Sequence, residues 1–152
     1  MEPIEEFRYL VLAVQREGNR LFAAALKPAG VTPSQAEVLR VLEAREPLTL
    51  SALGELLVCE TGSSPSRLVD RLVALGLVDR QVHRGDRRYV TLVLTRQGHE
   101  TAQAVAQAER HLYHLLRLHI GDRPLEPALE LLRLVAGGSP AGEALARRAE
   151  SA

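Results

Sequence analysis

The chain has 152 residues, with 19 Lys+Arg against 19 Asp+Glu, and 46% of its residues are apolar. This composition excludes a disordered chain, and no apolar run reaches the ~18 residues that a membrane span needs. The amino terminus MEPIEEFRYL lacks a leader's basic region, one cysteine (Cys59) gives no disulfide framework, and 3% aromatics leave no stacking platform for single strands. The expectation is a cytoplasmic protein with no membrane partner.

Residues 4–27 are predicted to form one long helix. Ile4, Phe7, Leu10, Val11, Val14, Leu21, Phe22, Ala25 and Leu26 fall mostly at three- and four-residue spacings, with charged residues between them. Pro28 and Gly30 stop it. At 1.5 Å per residue it is roughly 36 Å long, more than one small core can cover. Thr32-Pro33-Ser34-Gln35 then combines an N-cap, proline at the first helical position and Gln three residues after the cap, which starts a helix running to about Ala44. Pro47 breaks the chain. Leu48-Thr49-Leu50 reads as a short strand, and Ser51 as the cap of a short helix through Leu57.

Residues 58–64 contain the turn formers Thr61, Gly62, Ser63 and Ser64. Ser64-Pro65 repeats the cap-and-proline pattern, and a helix from Pro65 to Leu75 ends at Gly76. Leu68, Val69, Leu72, Val73 and Leu75 make its inner face; Ser66, Arg67, Asp70, Arg71 and Ala74 make its outer face. Two short helices joined by a glycine-containing turn suggest a helix-turn-helix. Beyond Gly76 the period changes to two over 77–82 and 89–94. The segment His83-Arg84-Gly85-Asp86-Arg87-Arg88 between them is the basic tip of a β-hairpin.

Thr95 caps a second long helix, about 96–119, with an apolar line through Ala102, Val105, Ala108, Leu112, Leu115 and Leu116. A further helix runs from 125 to 136, and a weakly capped one occupies 141–150. The zero net charge is uneven. Residues 61–98 carry seven Arg and three Asp, net +4, whereas 1–60 carry six basic and nine acidic groups, net −3, and 99–152 carry six and seven, net −1. A positive segment within a neutral chain draws a polyanion to one place.

This element order is that of a winged helix, mainly α with a small antiparallel β-wing. A helix fits the major groove, and the start of the second helix of the pair is the usual reading end. Thr61, Ser63, Ser64, Ser66 and Arg67 stand at that end, Arg71 lies one turn on, and Arg84, Arg87 and Arg88 lie at the hairpin tip. Hydroxyls and helical N–H groups suit phosphates or base edges, and Arg67 can make a bidentate contact to guanine.

The run Asp86-Arg87-Arg88-Tyr89-Val90-Thr91-Leu92-Val93-Leu94-Thr95 resembles the wing signature of MarR-type regulators. Arg67-Leu68-Val69-Asp70-Arg71-Leu72, followed by Gly76-Leu77-Val78, resembles their recognition helix and its exit. Leu48-Thr49-Leu50-Ser51-Ala52-Leu53 resembles the short strand and helix before it. The resemblance covers 33–98, with Pro65-Ser66 departing from the β-branched or hydroxyl pair of many members. It implies a homodimeric regulator of transcription, usually a repressor on a palindromic operator, released by a small-molecule effector. It also implies that Asp86 braces Arg88 while Arg88 enters the minor groove. Residues 31–95 would be the DNA-binding lobe, and 1–30 with 96–152 the helical region that forms the homodimer.

In the family an effector pocket lies where the first long helix meets the lobe, a place to which Tyr9, Arg16 and Tyr113 could contribute. Zinc and peroxide sensors are also family members. Here His111, His114 and His119 read as surface or dimer-face residues, and Cys59, which precedes the recognition helix, reads as a buried, inert thiol. Asp70 and Asp79 read as charge partners. No nucleophile–base–acid set or phosphate loop is evident, so neither enzyme activity nor a cofactor is expected. A winged-helix module that binds protein instead of DNA, or a metal- or redox-sensing member, are the alternative readings.

Overall fold

The computed structural model describes residues 1–59 and 64–150, apart from the side chain of Arg87. Helix α1 spans Pro3–Leu26 and runs into a short 3-10 turn, Lys27–Ala29, that ends on Gly30 at φ 69°. Helix α2, Pro33–Arg45, starts with the predicted reciprocal cap. Gln35 N–H donates to Thr32 Oγ1 at 3.3 Å, and Thr32 N–H donates to Gln35 Oε1 at 2.9 Å.

The next helix, α3, covers only Leu50–Gly54, and its cap is Thr49, which accepts from Ala52 N–H at 3.2 Å. The expected cap at Ser51 and end at Leu57 are therefore corrected. The reason is tertiary: Leu48 pairs with Leu92 through bonds of 3.2 and 2.7 Å, which holds residue 48 extended and lets the helix begin two residues later. The expected strand at 48–50 shrinks to that one bridge.

Helix α4 is Pro65–Ala74. It closes with Gly76 N–H on Val73 O and Leu77 N–H on Leu72 O, both at 2.9 Å, with Gly76 at φ 71°. This is the left-handed stop for which glycine carries no side-chain penalty. Leu68, Val69 and Leu72 are buried, but Leu75 is 49% exposed and leaves the expected inner face, because the helix ends beneath it. Strands β1, Val78–His83, and β2, Asp86–Leu94, pair antiparallel with Val78 opposite Leu94, Arg80 opposite Leu92 and His83 opposite Asp86. The turn is thus only Arg84-Gly85, and Arg87 and Arg88 belong to the strand, not the turn. Only Val78 of β1 is buried, so the hairpin projects beyond the core.

Helix α5, Arg96–Ile120, is capped by Thr95, whose Oγ1 accepts from Gly98 N–H at 2.9 Å and donates to Gly76 O at 2.7 Å. One threonine thereby ties the exit of α4 to the start of α5. Helices α6, Glu126–Ala136, and α7, Pro140–Ala149, follow. The weak cap expected for α7 is corrected: Ser139 Oγ accepts from Gly142 N–H at 3.1 Å.

The core is built from Leu26, Val38, Leu39, Leu42, Leu53, Val69, Leu72, Val78, Leu92, Ala102 and Val105, joining the base of α1, helices α2 to α4, the sheet and the first half of α5. Beyond it, Ile4, Leu10 and Val14 on α1, Leu116 and Leu118 on α5, and Leu131, Leu134 and Val135 on α6 are exposed. Among the described residues, no helix is long and apolar enough to cross a membrane.

Candidate nucleic-acid interface

Helix α4 buries one face against α2 and presents the other. Arg67, Asp70 and Arg71 lie on α4, with Arg84, Asp86 and Arg88 exposed on the hairpin beside it. Among the described residues, no carboxylate lies within ion-pair distance of Arg67, Arg71, Arg84 or Arg88. Four guanidinium groups on one helix face and the adjoining hairpin give a surface suited to phosphates and guanine edges.

Two local details differ from expectation. Ser64 stands at the N-cap of α4 but makes no side-chain cap bond; its Oγ lies 2.9 Å from Ser66 Oγ instead. The start of α4 thus keeps N–H groups that no side chain caps, where an anion is favoured. Asp86 accepts from the backbone N–H of Arg88 at 2.9 Å. The expected brace therefore acts on the backbone at the start of β2 and not on the guanidinium. Thr61 and Ser63 lie outside the described residues, as does the side chain of Arg87.

Asp70 has a partner, as expected: Arg80 of β1 forms an ion pair with it. The pair ties α4 to the hairpin. The sequence reading missed Arg80, although its position in β1 two residues after buried Val78 is a signal that it returns to the face next to α4. For Asp79 no partner appears among the described residues. At the hairpin tip, the rings of His83 and Tyr89 meet edge to face with centroids 4.8 Å apart.

A cleft of about 420 Å³ opens between α1, α2, α5 and α7. Its walls include Asn19, Phe22, Glu37, Arg40, Glu109 and Arg148, but not Tyr9, Arg16 or Tyr113. Arg40 crosses the cleft wall to Glu109 at 3.0 Å and also pairs with Glu43. Cys59 lines the same cleft and is exposed, which corrects the expectation of a buried thiol: it sits in the segment after α3, outside the core. Local desolvation of the sulfur, with the charge and hydrogen bonding of Glu37, pushes its pKa up to about 11. His111, His114 and His119 are exposed, with His119 Nδ1 2.8 Å from Leu115 O. Among the described residues, no three His, Cys, Asp or Glu side chains converge on one point.

A pair of short helices joined by a turn, a projecting two-stranded wing and a long helix on either side define the winged helix-turn-helix class. Residues 29–88 match the model of the MarR family. The chain is similar to a cysteine mutant of MarR from E. coli complexed with operator DNA, at 25% identity and a TM-score of 0.75, covering 89% of this chain and 99% of that one. It is also similar to the reduced form of MarR from E. coli, at 26% identity and a TM-score of 0.69, covering 89% and 97%. The organohalide-sensing RdhR regulator in its ligand-free form shares the fold, with a TM-score of 0.80 over 91% of this chain and 82% of that one at 16% identity. No curated protein sequence matches the chain.

Proposed function

We propose that this protein regulates transcription by binding a palindromic operator in duplex DNA as a homodimer, with α4 in the major groove and the wing along the minor groove. The observation that carries this reading is the surface formed by Arg67, Arg71, Arg84 and Arg88, without carboxylate partners among the described residues, on a lobe of the MarR family. Ser64, Ser66 and the N–H groups at the start of α4 would contact phosphates, joined by Thr61 and Ser63 from the segment before it. Arg67 would read a guanine edge. Arg84, Arg87 and Arg88 would enter or flank the minor groove, whose negative potential attracts arginine. Asp86 would hold the backbone of Arg88, and the Asp70–Arg80 pair would fix the wing relative to α4.

Dimerisation is supported by the apolar residues left open on α1, the end of α5 and α6. Pairing two chains through residues 1–30 and 96–152 would cover them and place two copies of residues 31–95 about a two-fold axis. Repression follows if the occupied operator keeps other proteins off the same stretch of DNA. The cleft between α1, α2, α5 and α7 is large enough for a small effector, and its filling would alter the angle between the long helices and the lobe.

The test is fluorescence anisotropy with duplex DNA over a salt series. Each phosphate neutralised should contribute about −0.9 to the slope of log affinity against log salt. Binding that is absent, or that ignores salt, would defeat the reading.

A further inference from the structure

A polar cluster away from the proposed DNA surface joins the last helix to residues 58 and 59, just after α3. Glu37 stands on α2, and its side chain is 9% exposed. Its Oε1 accepts from Val58 N–H at 2.8 Å and from Arg148 Nη2 at 2.7 Å, and its Oε2 accepts from Cys59 N–H at 2.9 Å. Arg45 of α2 donates to the carbonyls of Arg147 and Arg148 at 3.1 and 2.9 Å, on the last turn of α7. Arg147 donates to Glu55 O at 3.3 Å, and Ala144 of α7 is buried.

Each part of this cluster has a physical reason. The segment at 58 and 59 has left α3, so its amides have no helical acceptor and need another. One carboxylate that accepts two successive N–H groups fixes the backbone there in position and direction. A carboxylate so far withdrawn from water requires a countercharge. Arg148 supplies it from 111 residues further along the chain. Arg148 Nε is buried without an acceptor among the described residues, while its Nη2 is bonded to Glu37. Arg45 complements the negative end of α7 and holds that end in register.

We infer that α7 is a latch on the lobe: Arg148 acts through Glu37 to position residues 58 and 59, which follow α3. Glu37 and Arg148 are positioning residues in this scheme and touch no DNA. Helix α7 follows α6, whose apolar face is open for pairing with a second chain. The latch therefore connects the arm proposed to dimerise with the backbone after α3, in the lobe proposed to bind DNA. The consequence for DNA rests on the proposed function, whereas the link between α7 and residues 58–59 does not.

The experiment measures hydrogen exchange of the Val58 and Cys59 amides by NMR in the full chain. It compares wild type with Arg148→Ala, Arg148→Lys and Glu37→Gln. Anisotropy is read beside it, with duplex DNA recovered from a genomic-fragment pool by the wild type. Loss of one charge-assisted bond should speed exchange at both amides by about tenfold and weaken DNA binding by a similar factor. Arg148→Lys should retain part of both. Glu37→Gln keeps a single acceptor oxygen, so exchange at one or both amides should rise even with Arg148 in place. Thermal unfolding establishes that each variant is folded. Exchange that stays at the wild-type rate in Arg148→Ala, or that rises while affinity stays unchanged, overturns the latch. If the wild type recovers no duplex while the amides respond, the DNA reading falls and the mechanical link stands.

Discussion

Gly98→Ala is expected to destabilise the protein, although alanine is the better helix former. Gly98 lies in the first turn of α5, buried against the base of the wing. A Cβ built there would stand 2.0 Å from Leu77 O, 3.0 Å from Leu77 C and 3.3 Å from Leu94 Cβ. Two of those atoms are backbone, so no side-chain rotation can relieve the overlap. Leu77 O also accepts the Thr95 N–H at 3.1 Å, so moving that carbonyl loosens the cap of α5. Overpacking costs about 1–3 kcal/mol. A weakened hydrogen bond adds about 1 kcal/mol, and the gain in helix propensity returns about 1 kcal/mol. The net loss is roughly 1–3 kcal/mol, or about 2–12 °C in Tm for a chain of this size. Gly18→Ala is the comparison, since a Cβ in the middle of α1 meets nothing within 4 Å in its own chain and should stabilise by about 1 kcal/mol. Urea unfolding at a fixed protein concentration measures both. DNA affinity should fall with Gly98→Ala although no arginine is touched, because the root of the wing shifts. A Gly98→Ala protein as stable as wild type would show that the carbonyl of Leu77 yields at no cost.

Three further outcomes are expected. Replacing Leu112 and Leu116 together by Glu should abolish the dimer by placing charge on the face proposed to pair; light scattering after size exclusion would read it, and a wild-type monomer at micromolar concentration would remove the premise. Arg67→Ala should cost about 1–3 kcal/mol at one base position and relax the preference there, whereas Arg88→Ala should weaken all sequences alike and flatten the salt slope by roughly 0.9 for each phosphate no longer neutralised, about twice that in a symmetric dimer. Anisotropy against a specific and a scrambled duplex separates the two. Cys59, with its pKa raised from 9.0 to about 11, holds roughly a hundredfold less thiolate at neutral pH than an unperturbed thiol. Its alkylation should be slow at pH 7 despite its exposure and accelerate until pH passes about 11; a plateau near the unperturbed thiol value of about pH 9 would contradict the raised value.

Local chemistry made most of the elements legible. Thr32 with Gln35 announces α2, Gly76 ends α4, and the switch to a period of two reveals the hairpin. The failures arise where a distant residue chooses between local options. Thr49 and Ser51 are both competent caps, and the bridge between Leu48 and Leu92 selects Thr49. The polar run 83–88 could turn anywhere, and pairing of His83 with Asp86 tightens the turn to two residues, which places Arg87 and Arg88 on the strand. At the candidate site, the basic residues were readable from charge and motif. Their supports were not: Arg80 reaches Asp70 across ten residues and Arg148 reaches Glu37 across 111, separations that carry no periodic signal. Cys59 looked like a core residue by type, and its place after a five-residue helix leaves it at the surface.

Whether a dimer of this chain reads duplex DNA through α4 and the wing can be decided by recovering genomic fragments with the purified protein, then sequencing and footprinting the enriched sites. The expected result is an inverted repeat with half-site centres about 10 bp apart, one turn of the duplex, and protection that disappears as salt rises. No enrichment over bulk fragments, or a single short asymmetric footprint, would rule that mode of binding out.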